Sequence, residues 1–251
     1  MRPPRQASPT RRELLLGAGA AVLGGCATQA LAVPRAPAEG SPPRRVEHRM
    51  LPLPFAAGSL AGISERMITS HHENNYGGAV RNLTRAEQEL DALPRDAPGF
   101  VVAALHERVL TFRNSTSLHE MYFGNLGGDG RRPAAVNAML ADAYGSDGAW
   151  EQRTRAAAMG LGGGSGWVVL AMELDTRGLR TFAVSHHTQS LSGSVPLLVL
   201  DLYEHSYQMD FGAAVARYVD AFFANVRWDE VHRRAELARR AYTALSSGAQ
   251  I

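Results

Sequence analysis

The chain contains no lysine: all 26 of its basic residues are arginine, a bias read here as genome composition and not as the mark of a partner. It has one cysteine in 251 residues, Cys26, which rules out an intramolecular disulfide. No apolar run approaches the roughly 18 residues that a membrane-spanning helix needs. The glycine-rich stretch Gly162-Gly163-Gly164-Ser165-Gly166-Trp167 lacks the Gly-Lys-Ser/Thr ending of a phosphate loop. It also lacks the closing glycine of a nucleophile elbow, since Trp167 stands there. There is no internal repeat. The formal charge of +2 is uneven: residues 1–46 hold seven arginines against Glu13 and Glu39, leaving nineteen arginines against twenty-two acids, about −3, from residue 47 onward. A slightly acidic body argues against a nucleic-acid surface.

The basic end has its own pattern. Thr10, Arg11-Arg12 and Leu14-Leu15 precede an apolar stretch to Leu23, which resembles a twin-arginine export signal. Leu23-Gly24-Gly25-Cys26 resembles a lipobox, whose cysteine is lipidated after cleavage, while Ala30-Leu31-Ala32 offers an ordinary signal-peptidase site. Residues 1–32 are therefore expected to be an export signal and are set apart from the fold. Residues 33–50, rich in proline, alanine and arginine, read as a flexible linker. The expected location is outside the cytoplasm, either periplasmic or lipid-anchored at Cys26 in the cell envelope.

The body divides into two kinds of pattern. From Ser64 to about Leu93 apolar residues recur at helical spacing, and "LPRDAPG" then breaks the run at Pro94 and Pro98. A second helix is expected from Phe100 to about Leu126, giving a helical hairpin domain over 51–130. Beyond it, helices near Pro133–Ala143 and Asp147–Met159 lead into strands at Trp167–Leu174, Leu179–Ser185 and Leu197–Leu200, and helices return near Gly212–Val226 and Asp229–Thr243. This predicts an α+β fold: the hairpin packed on a C-terminal α/β domain (131–251) with a small three-stranded antiparallel sheet flanked by helices.

Four residues could converge. Asp201 ends a wholly apolar strand, and His205 follows four residues later. On its own this spacing fits an Asp–His hydrogen bond as well as a metal site. The two hairpin arms add His71, first of the pair in "HHENNYGGAV", and His119 in "LHEMYFGNL". Facing helices can each offer one imidazole to an ion. Three imidazoles and one carboxylate suit a borderline ion such as manganese or iron, with a position left for solvent or a small substrate.

Five segments in order carry a resemblance to the iron/manganese superoxide dismutase family over residues 51–245. "LPLPFAAGSL…ISERMITSHH" resembles its opening, and "HEMYFGNL" resembles H-x-x-x-W-x-x-L with Phe123 for tryptophan. "GSGWVVL" resembles G-S-G-W-x-W-L with Val169 for tryptophan, "DLYEHSY" resembles D-V-W-E-H-A-Y with Tyr203 for tryptophan, and "NVRWDEV" resembles the closing segment. The resemblance implies one manganese or iron ion per subunit, held by His71, His119, Asp201 and His205, and superoxide as substrate. It implies Gln189 as the catalytic side chain that hydrogen-bonds the metal's solvent, a placement that favours manganese; Ser115 stands where many iron members carry that donor. It also implies a homodimer in which Glu204 reaches the partner's ligand histidine beside His205. The chain departs from the family at the mouth of the site: Asn75 and Ala79 replace a histidine and a tyrosine, Gln208 replaces a second tyrosine, and Val215-Ala216 replace an arginine and proline. A wider entrance and reduced or altered activity are expected from these changes. The alternative expectation is a non-catalytic metal-binding relative acting as a metal-holding or interaction protein of the envelope.

Overall fold

The computed structural model describes residues 47–189 and 191–247; the expected export signal, with Cys26, and the linker up to residue 46 lie outside the described residues. The first arm begins at Ser64, whose extended backbone and side-chain oxygen cap the helix by accepting from the Met67 N–H (3.1 Å), with Glu65 in the first turn. Helix α1 (Glu65–Ser70) passes into a π-helical turn, His71–Tyr76, and then into α2 (Gly77–Asp91). The irregularity of this arm is the π-turn, and Gly77 and Gly78, which follow it, sit in regular α-helix. The π-turn holds one residue more than an α-turn, and it carries three buried side chains, His71, His72 and Tyr76.

Helix α3 (Gly99–Gly124) returns along α2 to complete the hairpin. Its exit is stitched to the far end of the chain: Gly128 N–H donates to the Asn225 carbonyl (2.9 Å) and Arg227 N–H to the Asn125 carbonyl (2.7 Å). A Cβ on Gly128 would collide with the Val226 carbonyl, so only glycine permits this approach. Helices α4 (Ala134–Tyr144) and α5 (Asp147–Leu161) lead to the sheet.

The sheet is antiparallel in the order β2–β1–β3, with β1 Trp167–Glu173, β2 Leu179–Val184 and β3 Ser194–Asp201. The central strand is buried over Trp167–Met172 because helices cover both faces: α3 and α8 (Trp228–Ser247) lie against β3, and α5 lies against β1 and β2. Strand β3 starts three residues before the expected Leu197. Pro196 hid this extension, and the edge position together with a register shift opposite Leu170/Ala171 tolerates it. The helix expected near 212–226 is found as α7 (Val215–Ala224); a separate short helix, α6 (Gln208–Phe211), precedes it and is parted from it at Gly212 with φ 54°. The register sets Trp167 opposite Asp201, so the start of β1 and the end of β3 meet at one edge of the sheet. The core is continuous from the hairpin (Met67, Tyr122, Phe123) through the sheet (Trp167, Val199) to α7 (Phe222). The fold is α+β, as expected. No helix among the described residues is long and apolar enough to cross a membrane.

Candidate metal centre

Four side chains meet where the hairpin abuts the end of β3. His71 opens the π-turn, His119 lies near the end of α3, Asp201 closes β3, and His205 stands in the 3₁₀ turn Glu204–Ser206. One ligand atom from each lies within 4.8 Å of all the others. Asp201 Oδ2 is 3.1 Å from His71 Nε2, 3.3 Å from His205 Nε2 and 3.7 Å from His119 Nε2. All four of these atoms are buried without a hydrogen-bond partner. Orphaned buried polar atoms are rare and cost on the order of 1–3 kcal/mol each. Four that face one another form a donor set for a cation, and the residues present fit a manganese or iron ion. The simple Asp–His hydrogen bond left open by the sequence is not what the geometry forms.

Each ring is aimed differently. His119 Nδ1–H donates to the Ser115 carbonyl one turn earlier (2.7 Å), which fixes the tautomer and leaves the Nε2 lone pair free. His71 has no hydrogen bond on either ring nitrogen. It is held by packing against Phe123 (4.9 Å between centroids), Tyr122 (5.1 Å) and the edge of His119 (5.1 Å). Asp201 Oδ1 accepts from the Tyr203 N–H (2.8 Å), which turns Oδ2 towards the histidines. Its backbone carbonyl accepts from Ser206 Oγ and from the Tyr218 hydroxyl, both at 2.9 Å. His205 stacks on Tyr203 (5.5 Å, 16°). Its side chain is 26% exposed, against at most 2% for the other three, so the centre faces solvent on that side.

Burial pushes the imidazoles towards the neutral form: His119 falls to about 3, and His71 is lowered for the same reason. Burial alone would raise the Asp201 carboxyl, but the neighbouring imidazoles of His205 and His71 outweigh it and hold the carboxyl below its usual range. The result is one anion facing the lone pairs of the neutral His71 and His119 imidazoles in a space closed on all but the His205 side.

The other expected residues lie at the rim or away from it. Glu204 and Gln208 are exposed, Asn75 is half-buried, and Ala79 is buried. Tyr76 turns inward: its hydroxyl accepts from the Leu51 N–H (2.8 Å) and donates to Glu120 (3.0 Å), and its ring stacks 6.2 Å from His119. Gln189 is exposed, and its amide oxygen accepts from Ser185 N–H (2.8 Å) and Ser185 Oγ (3.3 Å). The structure does not bring it to the four ligands. His187, two residues earlier, packs instead on Tyr203 and Trp167 at the edge of the cluster. His187 shares its loop with Gln189, and spacing along the chain does not distinguish the two. His186 is exposed and bonded to Thr188 (2.9 Å).

Comparison with known proteins agrees with this geometry. A profile of the C-terminal domain of iron/manganese superoxide dismutases matches residues 132–234. A superoxide dismutase [Fe] of Cupriavidus metallidurans is 41% identical over 196 residues, covering 77% of this chain and 98% of the relative. Superoxide dismutase [Mn] 1 of Haloferax volcanii is 36% identical over 198 residues (76% and 96%). A superoxide dismutase [Fe] of Aquifex pyrophilus is 33% identical over 196 residues (74% and 91%). The chain belongs to the iron/manganese superoxide dismutase family.

Proposed function

We propose that His71, His119, Asp201 and His205 hold a single manganese or iron ion and that the protein dismutes superoxide there. The observation that carries this reading is the group of four unpartnered, buried ligand atoms within 4.8 Å of one another. Bound there, manganese or iron supplies one-electron exchange, so that two superoxide anions and two protons become one dioxygen and one hydrogen peroxide. The protein's part is electrostatic and steric. A single carboxylate leaves the loaded centre with net positive charge, which favours an anionic substrate. The orphaned imidazoles of His71 and His119, which burial keeps neutral, bind without first losing a proton. Aromatic walls from Tyr122, Phe123 and Trp167 exclude water from all but the His205 side.

Two further parts of the reading rest on sequence. Residues 1–32 are taken as an export signal that places the protein in the periplasm, or on the membrane surface through Cys26. The exposed Glu204, beside the partly exposed His205, is taken as the contact to a second copy in a homodimer.

The test is metal content and superoxide consumption of the purified chain loaded with manganese and with iron. About one ion per chain is expected, with rapid consumption that His119→Ala and Asp201→Ala each lower by at least about a thousandfold, as for removal of a group on which the whole reaction depends. Tight metal with no consumption beyond that of the free ion would leave a metal-holding relative of the enzymes.

A further inference from the structure

We propose that residues 47–55 form a strap that positions the first ligand-bearing arm, with Tyr76 as the positioning residue through which strap and metal centre stabilise each other. The inference rests on the metal reading above and concerns how His71 is presented to the ion. Tyr76 closes the π-turn that His71 opens. Its hydroxyl is a three-way junction. It accepts from the Leu51 N–H of the strap (2.8 Å) and donates to Glu120 (3.0 Å), the residue after the ligand His119. The Leu51 carbonyl in turn accepts from Nε2–H of His72, the residue after the ligand His71 (2.8 Å). One strap residue thus uses both of its backbone groups on the π-turn that carries His71, and through Tyr76 it reaches the second arm as well.

The rest of the strap follows the same course across both arms. His48 Nε2 pairs with Glu87 of α2 at 2.8 Å. Met50 lies over Gly77, where an added Cβ would stand 3.1 Å from its sulfur, and Phe55 lies on Gly127, just past the end of α3. Among the described residues, no backbone–backbone hydrogen bond involves residues 47–55. A segment without a ladder of its own is held only where side chains meet it. A cleft of about 180 Å³ beside it, lined by Pro52, Pro54, His72, Tyr76, Glu120 and Phe123, leaves the hydrogen bonds of Leu51 to pin its middle. The π-turn departs from the ordinary helical form. Two separate interactions favour it here: strap docking through His72 and Tyr76, and ion binding through His71. Linkage then requires that each strengthen the other by the same factor.

The test uses the full chain, metal-free and loaded with manganese or iron, and four variants. Tyr76→Phe keeps the ring and loses the junction. Glu120→Ala removes the acceptor of the Tyr76 hydroxyl, and Glu120→Gln restores one. His48→Ala removes the outer anchor of the strap, away from the centre. Metal affinity is read by chelator competition, together with hydrogen exchange of residues 47–55 and of β1, the latter reporting the fold at large. In the parent, metal loading is expected to slow exchange of the strap. Tyr76→Phe is expected to lower metal affinity by about 5–150-fold, the usual range of a coupling between sites, and to abolish that slowing. Glu120→Ala should act in the same direction, and Glu120→Gln should recover most of what it loses. His48→Ala is expected to lower affinity by about 2–10-fold, the share of one hydrogen bond. Exchange of β1 should stay parental throughout. Parental affinity in both Tyr76→Phe and His48→Ala would overturn the proposal, as would losses matched by faster exchange in β1. A parent that binds the ion while its strap exchanges as in the metal-free protein would overturn the strap alone. A parent that takes up neither ion would overturn the metal reading and the strap with it.

Discussion

The two arms of the hairpin each deliver one imidazole to the same centre, and they do so by opposite means. On α3 the helix is regular and His119 is fixed by a hydrogen bond to the carbonyl of Ser115. On the first arm the helix is irregular, and His71 has no hydrogen bond on its ring; aromatic packing from Phe123, Tyr122 and His119 itself sets its direction. A hydrogen bond fixes a tautomer and one angle at modest cost. Packing fixes the ring plane but leaves the proton free to choose either nitrogen, so ion binding must settle it. The His71 side of the site therefore depends on side-chain volume in a way that the His119 side does not.

The largest break in that comparison is Phe123→Ala. It removes a residue 3% exposed that touches His71 at 4.9 Å and lies 6.4 Å from His119. A stability loss of about 3–5 kcal/mol is expected in denaturant titration of the apo-protein, the usual cost of emptying an aromatic core position. Metal affinity measured by chelator competition should fall as well, about 10–100-fold. If affinity is unchanged while stability falls, His71 is not oriented by packing.

An intermediate effect concerns pH. His119 and His187 have folded-state values of about 3 and about 4, well below the ordinary histidine value, and burial is the leading cause in both. The unfolded chain therefore takes up these protons first as pH falls. Stability is fully present above about pH 6.5 and declines as pH drops through the window down to 4 for His187 and 3 for His119. The apo-protein is expected to lose on the order of a few kcal/mol between pH 7 and pH 4.5, seen as a falling melting temperature. A flat melting temperature over that range would mean that the cluster takes up protons without unfolding.

The smallest effect lies within the first arm, downstream of its π-turn. A Cβ on Gly78 would meet only the flexible end of Arg81, at 3.9 Å. Gly78→Ala should therefore stabilise by about 0.5–1 kcal/mol and leave metal content and rate unaltered. A loss of metal in this variant would tie the π-turn to glycine freedom and away from the three buried side chains it carries.

Most of the architecture was legible because periodicity and chain breakers act locally. Pro94 and Pro98 part the hairpin arms, and the apolar runs at Trp167 and Leu197 form strands close to where the pattern put them. The departures share one cause. The π-turn at His71–Tyr76, the inclusion of Pro196 in β3 and the short helix α6 before Gly212 all depend on what lies across from the segment, and no single window of sequence contains that.

By itself the sequence determined the family resemblance, the order of helices and strands and the identity of four residues able to bind a metal, because each of these is written in residue type and spacing. Tertiary structure alone decided that the four orphaned atoms face one another, that Tyr76 turns inward to Leu51 and Glu120, and that His187 rather than Gln189 stands beside the cluster. The physical reason is reach. Two polar side chains in one five-residue loop are equivalent in sequence until the strand register brings Trp167 opposite Asp201 and the Trp167 indole N–H finds its one acceptor in His187.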